Sequence, residues 1–152
     1  MLFCDACPLS MGYWCPSLSH SFHCCVNTCH SDGIFYLEAL AVLSVLHWVL
    51  HDQDLPHGAC ITLYSDNFNT IDNFDNFNTL HAQPLYNPIL IMTVDLLYSF
   101  NVQLRVFHIL GEDNIITDAL SHFQMDVVYQ YAPMLCISLF QPPHLMLGVA
   151  PL

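Results

Sequence analysis

The apolar and polar positions alternate in short runs at the start of the chain and gather into longer apolar runs afterwards. Leu2-Phe3-Cys4 runs into Asp5, Pro8-Leu9-Ser10 reads as a turn, Met11 to Cys15 is a second run and Phe22 to Asn27 a third. Residues 2–30 therefore predict short strands broken by tight turns. Asp32-Gly33 opens a long apolar stretch that predicts a helix to about His51, with Asp32 as its N-cap. Cys60 to Tyr64 is rich in β-formers and ends at Ser65-Asp66. Residues 67–100 predict two helical pieces interrupted near Pro84, with Pro88 in the first turn of the second. Val102 to Ile109 partly alternates and predicts a strand, Gly111 breaks it, and Glu112 to Phe123 predicts a last short helix. Beyond Asp126 come Pro133, Pro142, Pro143 and Pro151, which predict an apolar tail with little regular structure. This order predicts an α/β domain over residues 1–125, followed by a proline-containing tail over 126–152. Its core is a five-stranded mixed sheet, the first three strands antiparallel, with helices on its faces. Asp66-Asn67-Phe68-Asn69-Thr70 recurs as Asp75-Asn76-Phe77-Asn78-Thr79, which reads as a small local duplication.

Composition narrows the functional classes. At 55% hydrophobic, the 152 residues can bury a proper core. Only 9% are charged: 13 acids face one arginine, Arg105, and no lysine, for a formal charge of −12. A nucleic-acid binder of the usual electrostatic kind is excluded, because neutralising phosphates takes lysine and arginine. The longest apolar stretch, Leu37 to Leu50, is interrupted by Glu38, Ser44 and His47 and falls short of the ~20 residues a bilayer needs, so no membrane span or membrane partner is expected. The N-terminus lacks the cationic start of a secretory signal, so the eight cysteines read as free thiols in a reducing, intracellular compartment. Cys4-x2-Cys7, Cys24-Cys25 and Cys29-His30 crowd the first thirty residues, but their gaps fit no zinc ribbon. His47 and His51, one helical turn apart, read as surface residues.

Four acids are not explained by the local pattern. With Glu38 at 0° on a wheel of ~100° per residue, Ser44, His47 and His51 fall near 240°, 180° and 220°, opposite the carboxylate. Its own neighbours Ala41, Val42 and Val45 are apolar, and a buried carboxylate is costly unless paired or bound to a metal. The alternative is a helix rolled so that Glu38 reaches solvent near the N-terminus, where the helix dipole favours it. Asp66 follows one predicted strand and Asp5 ends another, at the strand ends where ligands collect in such sheets. Asp118 sits in a helix between apolar residues. Taken singly, Asp66 also reads as an N-cap, Asp5 as a turn residue and Asp118 as a solvated helix position. Together, four converging acids suit two divalent ions about 3.5–4 Å apart, and hard carboxylate oxygens favour Mg²⁺ or Mn²⁺ over zinc.

These residues stand in recognisable stretches: Asp5-Ala6-Cys7 with Met11-Gly12-Tyr13-Trp14, Phe35 to Ala41 around Glu38, Leu63-Tyr64-Ser65-Asp66-Asn67, and Gly111-Glu112-Asp113-Asn114 to Asp118-Ala119-Leu120-Ser121. In that order they resemble the RNase H domain of retroelement polyproteins, over roughly residues 2–123, and within it the reverse transcriptase–RNase H region of fungal retrotransposons. The resemblance implies an RNase H-like fold and a metal-dependent endonuclease that cuts the RNA strand of RNA–DNA hybrids. It implies that Asp5, Glu38, Asp66 and Asp118 hold two Mg²⁺ or Mn²⁺ ions, Asp5 touching both. Glu38 and Asp66 would serve the leaving-group side and Asp118 the nucleophile side. The family domain follows a reverse transcriptase, so the chain is expected to be a piece of a longer polyprotein or a truncated, decayed copy. The family's closing arginine after Leu-Ser is His122 here. With the cations nearly gone, hybrid binding and cleavage are expected to be weak or lost, which leaves a catalytically silent structural or protein-interaction domain as the alternative.

Overall fold

In the first strand Leu2, Cys4 and Ala6 are buried together on one face, which sends Phe3, Asp5 and Cys7 to the other. A computed structural model describes residues 1–26, 33–76 and 87–143 and carries this alternation through a six-stranded sheet. The strands are β1 (Leu2–Cys7), β2 (Ser10–Cys15), β3 (His20–Cys25), β4 (Cys60–Ser65), β5 (Gln103–His108) and β6 (Cys136–Leu139). The helices are α1 (Gly33–Asp52), α2 (Phe68–Asn76), α3 (Asn87–Ser99), α4 (Ile115–Ser121) and α5 (Met125–Tyr131). The order across the sheet is β5-β4-β1-β2-β3-β6. β1, β2 and β3 form an antiparallel meander, while β4 runs parallel to β1, β5 parallel to β4 and β6 parallel to β3. The mixed α/β architecture expected from the pattern is present, with one strand more than expected.

α1 fills one face of the sheet. Leu40, Val42, Leu43 and Leu46 are fully buried in one core with Leu63, Met11 and Tyr13, α1 lies against β1 and β2, and α3 packs on the helix from outside. Covered on both sides, α1 has no wet stripe at Ser44, which is buried and donates to the Leu40 carbonyl at 2.6 Å. The expectation that nothing is long and apolar enough to span a bilayer needs correcting: Ile34–Asp52 passes on length and composition. Most of that segment is buried inside the domain, as befits a core helix.

The opposite face is covered by α4 and α5, whose Ile116, Leu120 and Val128 gather Leu135, Ile137 and Trp14 into a second, smaller core. This corrects the reading of the chain beyond Asp126 as having little regular structure. Leu135 and Ile137 bury against that cluster, β6 pairs along β3 from His20↔Cys136 to His23↔Leu139, and Pro133 and Pro142 fall between and after elements. The prolines punctuate the segment without abolishing it. The last helix is also shorter than expected, Gly111–Asp113 being a 3₁₀ turn before α4. Pro88 takes the second position of α3. Asp32, Pro84 and Phe77 to Thr79 of the second repeat copy lie outside the described residues.

Gly12 sets how closely α4 approaches the sheet. A Cβ there would stand 2.7 Å from the Leu120 Cβ, 3.1 Å from the Ser121 nitrogen and 3.2 Å from the Thr117 carbonyl oxygen. Two of these neighbours are backbone atoms and the third a Cβ, so none can swing away. Gly12→Ala should cost about 1–3 kcal/mol of stability through this overpacking. Urea unfolding of the two proteins checks it, and an unchanged midpoint would mean that α4 is not seated as described.

Candidate metal centre

β1 and β4 lie side by side and parallel, with Leu2↔Leu63 and Phe3↔Tyr64 in register. Carrying that register forward two residues brings Asp5 level with Asp66, just past the end of β4. Asp5 is therefore inside β1, paired with Gly12 of β2, and does not end the strand as expected. α2 begins after Asp66, and its cap is Asn67, whose Oδ1 accepts from the Asn69 and Thr70 amides at 3.0 and 3.2 Å. Asp66 is thus not used as the N-cap. Its Oδ2 lies under the 110–114 turn, 3.5 Å from where a Gly111 Cβ would be.

Glu38 reaches the same place from α1. It is 3% exposed, which settles the helix-rolling alternative in favour of burial. Ligand oxygens of Asp5, Glu38 and Asp66 lie within 4.8 Å of one another. One of the two Glu38 oxygens, Oε2, is buried and has no hydrogen-bond partner.

Asp118 arrives on α4. The start of that helix is tied to β1 by the buried Asn114, whose side-chain amide donates to the Cys4 carbonyl at 3.4 Å and whose Oδ1 accepts from Thr117. Its end is tied down by Ser121. That hydroxyl donates to Asp5 Oδ2, and the Ser121 carbonyl accepts from Ser10 Oγ and, at 3.0 Å, from the Cys7 thiol. Asp5, Asp118 and His122 then form a second group whose ligand atoms also lie within 4.8 Å of one another. Asp118 and His122 are about half exposed, with His122 Nδ1 3.3 Å from Asp118 Oδ1. All four acids singled out in the sequence are brought together, with Asp5 common to both groups. From the sequence Ser121 has no role and His122 is only the place of the resembled family's closing arginine, although they stand three and four residues after Asp118, the helical spacing that puts side chains on one face.

The electrostatics are those of like charges out of water. Burial first, then Asp66 and Asp118, push the Asp5 carboxyl up to about 6, against the pull of the Ser121 hydroxyl and the weaker one of His122. Burial, with Asp5 and Asp66, drives Glu38 well above the usual carboxylate range, partly offset by the Ala6 amide. Burial and the same three acids also hold the Cys4 thiol protonated. A cation would relieve this arrangement. The donors are carboxylate oxygens except for one imidazole, and a partnerless buried oxygen already points to a missing ligand, so the residues fit hard divalent ions such as Mg²⁺ or Mn²⁺.

The sheet order, the crossing helix and the closing helix define an RNase H-like fold. The chain is similar to three solved structures, each at 13% identity. RNase H1 from the halophilic archaeon Halobacterium salinarum NRC-1 superposes at a TM-score of 0.62, covering 82% of this chain and 96% of that one. LC11-RNase H1 in complex with an RNA/DNA hybrid gives 0.62, with 78% and 91% covered. The N-terminal RNase H domain of rv2228c from Mycobacterium tuberculosis, a fusion with maltose-binding protein, gives 0.61, with 86% and 94% covered. No family model matches the sequence, and no curated protein does.

The raised carboxyl of Asp5 has a defined effect on stability. Between about pH 4 and 6 the folded protein holds a proton on Asp5 that the unfolded chain has already lost, so this group's contribution falls as pH rises through that window. Without divalent ions, Asp5→Asn should melt higher than the parent at pH 7.5, and the gain should shrink towards zero by pH 4. Calorimetry across that range measures it. A gain independent of pH would show that Asp5 is not held in a charge-hostile site.

Proposed function

We propose that the chain is a metal-dependent, RNase H-type endonuclease domain of retroelement origin, acting on the RNA strand of RNA–DNA hybrids with weak activity. The observation that carries this reading is the convergence of Asp5, Glu38, Asp66 and Asp118 on an RNase H-like fold. A similar structure solved with an RNA/DNA hybrid supports the choice of ligand. Asp5, Glu38 and Asp66 would hold one divalent ion and Asp5 and Asp118 a second, Mg²⁺ or Mn²⁺. When bound, such ions lower the pKa of water and stabilise the attacking and leaving oxygens of an in-line displacement at phosphorus.

The chain's own part is placement. The β1–β4 register levels Asp5 with Asp66, α1 presents Glu38 from below, and the Ser121 hydroxyl fixes the orientation of the Asp5 carboxylate. Hydrolysis adds water across the phosphodiester and releases the 3′ oxygen as a hydroxyl, so the site must also accept a developing negative charge. Nothing in the side chains of the four acids supplies that.

Capture of the substrate is the weak step. With a formal charge of −12 and Arg105 as the one fixed cation, the chain repels a phosphate backbone. The same charge favours the second reading, a catalytically silent structural or interaction domain retained from the same ancestor.

Purified protein with Mn²⁺ should cleave a hybrid slowly, and Asp66→Asn should abolish the cleavage. No salt-dependent affinity for the hybrid is expected near neutral pH, and arginine in place of several histidines outside the metal centre, His20 among them, should raise binding and cleavage together. Tight binding of the unmodified protein at physiological salt would overturn the account of weakness. Absence of cleavage in the arginine-restored protein would favour the silent domain.

A further inference from the structure

The two groups that share Asp5 are chemically different, and the difference is His122. Asp5, Glu38 and Asp66 offer only oxygen and are mostly buried, whereas Asp5, Asp118 and His122 offer two carboxylates and an imidazole nitrogen, the last two residues open to solvent. His122 caps the C-terminus of α4 through its backbone amide, bonded to the Asp118 and Leu120 carbonyls, and its ring Nδ1 donates to the Asp118 carbonyl at 2.9 Å, which keeps the ring beside Asp118. With Nδ1–H donating to that carbonyl, the neutral ring keeps its lone pair on Nε2. That the acids as a whole await a cation is indicated independently by the partnerless, buried Oε2 of Glu38.

We propose that His122 is a nitrogen ligand of the outer position, so that Asp5, Asp118 and His122 select a borderline transition ion such as Co²⁺ or Zn²⁺ while Asp5, Glu38 and Asp66 select Mg²⁺. The inference rests on the reading of the acids as a divalent-ion centre. The physical ground is ligand hardness. Mg²⁺ sheds water reluctantly and prefers oxygen, while imidazole suits the later first-row ions, whose affinity for mixed nitrogen and oxygen donors exceeds that of Mg²⁺ or Mn²⁺. The centre would then be mixed in its preferences, with the ion in the outer position exchangeable from solvent. Loss of His122 would turn the outer position into a pair of carboxylates and remove the preference while leaving every ligand of the inner group in place.

Co²⁺ is the probe. The metal-free protein is titrated with Co²⁺ in millimolar Mg²⁺, followed by visible absorption and calorimetry, beside His122→Gln, Asp118→Asn, Asp5→Asn and a His47→Ala, His51→Ala double variant. Circular dichroism confirms that each is folded. The parent and the double variant should bind Co²⁺ against excess Mg²⁺. His122→Gln should weaken Co²⁺ binding by about tenfold or more while leaving Mg²⁺ affinity within about twofold. Electron spin-echo spectra of the Mn²⁺-loaded parent should carry a nitrogen coupling that His122→Gln lacks. Unchanged Co²⁺ affinity in His122→Gln, no nitrogen coupling in the parent, or loss of Co²⁺ binding in the double variant would each overturn the proposal. If ions still bind in an Asp5-dependent way, the metal-centre reading survives that failure. If Asp5→Asn changes no titration at all, both readings fall.

Discussion

Mutual repulsion of carboxylates shut away from water is the constraint to which the rest of this molecule answers. Asp5 and Glu38 are almost wholly buried, Asp66 is beside them, and Asp118 adds a further negative charge to Asp5 from α4. The imidazole of His122 is the weakest of the influences acting on the Asp5 carboxyl. A folded domain gains nothing in stability from such a cluster, and burying an ion without a partner costs several kcal/mol. The fold therefore holds these groups against their own electrostatics. The sheet register, the buried α1 and the tethers of α4 at Asn114 and Ser121 do the holding.

Those tethers show how packing and chemistry share the same residues. Gly12 lets the α4 backbone lie almost on β2, and this contact sets the distance from Ser121 to Asp5. The Ser121 carbonyl is in turn clamped by Ser10 and Cys7, from the two strands that flank the β1–β2 turn. The buried Cys7 thus acts as a hydrogen-bond donor in the frame of the site. Among the described cysteines near the start of the chain, Cys4, Cys7, Cys15 and Cys24 are buried in the core or this frame, and Cys25 is exposed.

Much of this was legible in the sequence, for physical reasons that differ from element to element. The three-strand meander follows from short alternating runs with turn residues between them, and α1 from a long, mainly apolar stretch without proline or internal glycine. Glu38 stood out because a wheel placed it among Ala41, Val42 and Val45, which is where the structure has it. Other features were hidden. Asp66 and Asn67 are both able caps, and only the packing of α2 shows that Asn67 takes the role. The proline count masked α5 and β6, because prolines between elements look the same in sequence as prolines that forbid them. Ser121 stands in the sequence as the end of a motif and His122 as the place of the resembled family's closing arginine, and neither is set on the face of Asp118, an inference the helical spacing already allowed.

The account's central claim is that this cluster is a divalent-ion centre and not a chance gathering of acids. Its most direct test is the melting temperature of the protein with and without Mn²⁺, read beside Glu38→Gln. An ion present at a hundred times its dissociation constant stabilises the folded state by about 2.7 kcal/mol. In a domain of this size that raises the midpoint by roughly 5–10 °C. The parent should show a rise of this order, saturating with Mn²⁺. Glu38→Gln should melt higher than the parent without metal and respond far less when Mn²⁺ is added. A parent whose midpoint does not move with Mn²⁺, or a Glu38→Gln protein that responds just as strongly, would contradict the account.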